Sequence, residues 1–137
     1  MSDPYSERMH DAAERWGICI PGRPPIIRLP GSMPPEYKIP TAKEYTHVHD
    51  SAKSTIELFT TNDLWGYWLR ITLRKQGFAT GPYVMADPYP TEGEAFDAAW
   101  NFALDFGQKA LADRDPHAQK FLDWLGQINQ VRQPTLF

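Results

Sequence analysis

Residues 65–74 read WGYWLRITLR, from Trp65 to Arg74, and this decamer decides the fold. Trp65, Tyr67, Leu69, Ile71 and Leu73 fall on one side of an extended chain, and Gly66, Trp68, Arg70, Thr72 and Arg74 on the other. A period of two marks a β-strand with a core face and a mostly polar face. Asn62-Asp63 just before it is a turn signal, and Thr55-Ile56-Glu57-Leu58-Phe59-Thr60 upstream supplies a candidate antiparallel neighbour. Downstream, a loop with Gly77 and Gly81 leads to a second short run at 83–86, read as the hairpin partner.

Further along, Asp87-Pro88-Tyr89-Pro90 stops the strand and Thr91-Glu92-Gly93-Glu94 forms a capping box, in which the threonine hydroxyl accepts from the amide three residues on. Phe96, Ala99, Ala103, Phe106 and Ala110 follow at spacings of three and four, predicting a helix to about Ala112 with one apolar stripe. Asp115-Pro116 is a second helix start, aspartate as N-cap and proline at the first position, and Phe121, Leu122, Leu125 and Ile128 make a last helix. The expected class is α+β: an antiparallel two- or three-stranded sheet with the C-terminal helices packed on one face.

Trp68-Leu69-Arg70, the Gly-containing hairpin loop and Tyr89-Pro90-Thr91-Glu92-Gly93-Glu94-Ala95 together resemble a pattern found in small uncharacterised proteobacterial α+β proteins. The resemblance covers residues 65–112. It implies a bacterial origin and the same fold, and its motifs, being capping and packing devices, carry no catalytic residue across.

The front of the chain has another character. Seven of the 13 prolines fall between Pro21 and Pro40, where no residue is far enough from a proline to build a helix or a central strand. Ile26, Ile27, Leu29, Met33, Tyr37 and Ile39 are interleaved with them, which describes an extended arm that packs its apolar side chains on the domain, with a partly disordered polyproline-type arm as the alternative. Asp3-Pro4 starts a short amphipathic helix over about residues 4–16, with Tyr5, Met9, Ala12 or Ala13 and Trp16 on one stripe. The expected organisation is residues 1–52 as helix plus arm, 53–130 as the α+β domain and 131–137 as a flexible tail.

Composition narrows the function classes. The chain has 137 residues and a formal net charge of -3, against bulk-charge binding of nucleic acid or an anionic membrane. One cysteine, Cys19, excludes an internal disulfide, and no secretory signal or membrane-length apolar run is present, so a cytoplasmic location is expected. Cys19, between Ile18 and Ile20, reads as a buried, inert thiol. No phosphate loop, nucleophile elbow or zincin helix occurs, no cofactor is implied, and the pairs Glu92/Glu94 and Asp113/Asp115 are explained by helix starts. The expectation is a binding or interaction module, not an enzyme, acting as a monomer or homodimer with a protein partner.

Three stretches compete for the binding role. The arm segment with Arg23, Pro24, Pro25 and Arg28 resembles a polyproline ligand with basic flanks. Trp68, Arg70, Thr72 and Arg74, with Lys75 at the strand end, combine an aromatic plane with positive charge, as sheet-based single-strand binders do. Against nucleic acid stands the helical stretch 92–115, six acids against two bases, a net of -4. His47, His49 and Asp50 form the one constellation with metal-ligand character: the two histidines share a face of an extended segment and a carboxylate follows. That set needs a further donor from His10, His117 or an acidic residue elsewhere, and without one it is polar surface.

Overall fold

The computed structural model describes residues 15–16, 41–80 and 88–132. The arm with Arg23, Pro24, Pro25 and Arg28, most of the N-terminal helix, the run at 83–86 and residues 133–137 lie outside them. Four strands, β1 (Thr41–His49), β2 (Ala52–Thr61), β3 (Leu64–Thr72) and β4 (Gly77–Ala79), form an antiparallel sheet in chain order, followed by α1 (Glu92–Ala112) and α2 (Ala118–Arg132). The α+β class holds. The sheet has four strands where two or three were expected: the partner beyond β3 is the three-residue β4, and β1 adds a strand from residues assigned by sequence to the arm.

Two hairpin turns set the register. Asp50 and Ser51 have φ of 48° and 67°, and Asn62 and Asp63 have 52° and 61°. Positive φ at both central residues matches the right-handed twist of the strands and allows a two-residue connection. Asn and Asp tolerate that conformation better than most residues. Serine has no such advantage, so Ser51 is held there by the pairing His49 with Ala52 on either side of it.

The alternation read in β3 is realised. Leu69, Ile71 and Leu73 are buried with Ile56 of β2 against Ala99, Ala103 and Ala110 of α1 and Ala118, Phe121, Trp124 and Leu125 of α2. Full burial of one such aliphatic side chain is worth about 1.5–3 kcal/mol. Thr91 caps α1, its Oγ1 accepting from the Glu94 amide at 3.2 Å. The helices are drawn together at Gly107, which Leu122 and Phe121 of α2 approach, and by the Trp100 Nε1–H donated to the Leu125 carbonyl at 2.8 Å.

On the other face of the sheet Phe59 is fully buried, and Trp16 stacks on it with ring centroids 5.5 Å apart. Gly66 makes room for this: a Cβ there would lie 2.6 Å from Phe59 and 2.8 Å from Trp16. Asn62 Nδ2 donates to the Trp16 carbonyl at 2.8 Å. The described end of the N-terminal stripe therefore docks on the sheet.

Candidate metal centre

Strand β1 presents an unusual inward face. Its alternate residues Tyr45, His47 and His49 point toward the helices, each with an aromatic partner there. Tyr45 meets Phe96 of α1 edge-on at 5.2 Å, His47 stacks on Trp124 of α2 at 5.4 Å and 23°, and His49 meets His117 edge-to-face at 4.9 Å and 81°. This ladder of rings brings the end of β1 against the loop between α1 and α2.

That loop is shaped by Asp115. Its carboxylate, in a residue only 3% exposed, accepts the amides of Lys75 at 2.7 Å, His117 at 2.9 Å and Arg74 at 3.2 Å. Burial alone would push this carboxyl up, but the three amides and the neighbouring His117 outweigh it and hold the group below its ordinary range. The bond to the His117 amide is the N-cap bond that Asp115-Pro116 announces in the sequence. It fixes the backbone of His117 at the entrance to α2.

The result is a cluster of two imidazoles and a carboxylate. His49, Asp50 and His117 place one donor atom each within 4.8 Å of one another. Asp50 Oδ2 lies 3.6 Å from His49 Nε2 and 3.5 Å from His117 Nε2. Neither distance is a hydrogen bond. The His117 Nδ1 atom is buried and has no hydrogen-bond partner among the described residues. Exposure grades across the cluster, with the side chains of His117, His49 and Asp50 at 11%, 31% and 72%.

The structure thus keeps two of the three residues picked out by sequence and supplies the needed donor from His117. His47 is turned onto Trp124, and burial, followed by the neighbouring His49, lowers its pKa. His10 lies outside the described residues. The signal that could have found His117 was present: a residue two places after an N-cap aspartate is fixed in space. What places it beside Asp50 is the topology, since the β1–β2 turn and the α1–α2 loop share one end of the sheet.

The basic strand residues are divided between β3 and the turn that follows it. Trp68 and Arg70 lie on the face opposite the helices, so the acidic α1 is on the far side of the sheet from them. Trp68 is half-buried, its Nε1 enclosed and without a partner among the described residues, while Arg70 and Thr72 are exposed. Glu57 is paired across from Trp68, and Glu44 across from Glu57, which puts two acids on that face. Arg74 and Lys75 sit past the strand in the turn that grips Asp115, and Lys75 Nζ reaches the Asp113 carbonyl at 3.4 Å. Among the described residues no helix is long and apolar enough to cross a membrane. Comparisons with known protein families, with curated proteins and with solved structures gave no match to this chain.

Proposed function

We propose that this chain is a binding protein whose ligand is a divalent transition-metal ion held by His49, Asp50 and His117. One observation carries the reading: the spacing of the donors around Asp50. Metal–nitrogen and metal–oxygen bonds of about 2.0–2.2 Å in a tetrahedral site put neighbouring donors about 3.3–3.6 Å apart. Asp50 Oδ2 stands at 3.6 and 3.5 Å from the two imidazole nitrogens. The two imidazole donors stand within 4.8 Å of each other, so binding requires them to close on the ion by up to about 1.2 Å to reach the tetrahedral spacing.

The donor chemistry selects the class of ion. Calcium and magnesium take oxygen ligands, six or more around calcium and an octahedron around magnesium. Two imidazoles with one carboxylate suit zinc, nickel, copper(II), cobalt(II) or iron(II).

Titration calorimetry of the full chain with zinc tests the proposal. The expected result is one ion per chain. Asp50→Asn, in an exposed turn, and His117→Ala should each weaken binding more than about 100-fold, beyond the roughly 10–100-fold usually seen on losing an outer-layer partner. His47→Gln should leave affinity within about threefold. Equal losses in His47→Gln and His117→Ala, with both variants folded by circular dichroism, would overturn the assignment.

A further inference from the structure

We infer that the ion keeps a coordination position open to solvent, and that this position takes a small monodentate anion. The inference rests on the metal reading above and deepens it. Among the described residues the cluster offers three donors, one fewer than a closed tetrahedral site. Their placement is one-sided. His117 is the buried floor, His49 a half-buried wall, and Asp50 an exposed rim at the tip of the β1–β2 turn. The side chains grow more exposed from His117 at 11% through His49 at 31% to Asp50 at 72%, so the solvent side of the cluster is the Asp50 side.

Charge sets the class of ligand. A divalent ion with one carboxylate and two neutral imidazoles retains a single positive charge, which favours an anionic donor over a neutral one. Asp115, close in the chain to His117, has both carboxylate oxygens engaged by three amides, which keeps it from serving as a fourth donor. The exchange is simple coordination chemistry: a metal–water bond breaks, a metal–anion bond forms, and no atom is oxidised or reduced. A carboxylate, a halide or an azide has the required single donor atom.

Visible absorption of the cobalt(II)-loaded full chain, titrated with azide, reads the open position directly. The expected outcome is a saturable shift of the cobalt bands, absent in Asp50→Asn and in His117→Ala under the same conditions. Cobalt bound one per chain with bands unmoved by excess azide would overturn the inference and leave the metal site standing, since it would mean that protein donors fill the shell. Failure of cobalt to bind at all sinks both. A shift that persists in both variants belongs to cobalt bound elsewhere and counts against the open position.

Discussion

Asp115→Asn is the most informative single change in this structure. The carboxylate has two oxygens and three amide donors: Oδ2 accepts Lys75 at 2.7 Å, and Oδ1 accepts His117 at 2.9 Å and Arg74 at 3.2 Å. In asparagine one oxygen can keep the last two bonds in neutral form, but its NH2 group then faces the Lys75 amide, donor against donor. Hydrogen bonds to a charged group contribute about 1.5–3 kcal/mol each, and an unsatisfied buried donor costs about 1–3. One charged bond lost and two weakened come to about 2–4 kcal/mol, a large part of the roughly 5–15 kcal/mol that holds a small domain together. Urea denaturation followed by tryptophan fluorescence and far-ultraviolet dichroism measures it, with an unchanged slope showing that stability alone has moved. A loss below about 0.5 kcal/mol, the range of ordinary surface changes, would refute the reasoning. The pH dependence gives a second readout. Because the folded carboxyl titrates below the ordinary value of 3.8, its stabilisation is complete above that value and is lost as pH falls through the lower, folded one. The gap between parent and variant should therefore close at acid pH.

Two other outcomes follow from the opposite face of the sheet. Gly66→Ala puts a methyl 2.6 Å from Phe59 and 2.8 Å from Trp16, and overpacking of this kind costs about 1–3 kcal/mol; thermal melting should show the loss, and red-shifted emission should show Trp16 displaced. A melt and an emission maximum matching the parent would mean that the ring has another way to sit. Glu57 is pushed up by burial first and by Glu44 opposite second, so the folded state prefers the protonated acid and stability rises as pH falls through that raised value. Glu57→Gln should raise the melting temperature at pH 7 and lose its advantage at pH 4; a gain of equal size at both pH values would contradict the assigned cause.

How much of this was legible beforehand depends on where the physical signal is local. The two faces of β3, the Thr91 cap and the α1 stripe are written in neighbouring residues, because alternation, capping and helical spacing act over a few positions. Strand β1 is not so written. Its inward residues Tyr45, His47 and His49 are polar or aromatic, with the outward Glu44 and Thr46 exposed, so it lacks the aliphatic alternation that marks β3. It is a strand because its rings find Phe96, Trp124 and His117, which come later in the chain. The same holds for the candidate site: His49 and Asp50 are adjacent in sequence, and their third member lies beyond three strands and α1, in the loop that follows it.

The order of the strands has a consequence for the life of the chain during synthesis. Strands joined in sequence by tight turns need no distant segment, so the whole sheet can assemble once residue 79 has emerged. At that moment Ile56, Leu69, Ile71 and Leu73 have no helix to rest against, since Ala99, Phe121 and Leu125 have yet to emerge. The helices are thus a late seal, and a nascent chain with residues 80–92 at the mouth of the ribosome exposes that apolar surface, the kind of species that chaperones hold and that aggregates when they do not.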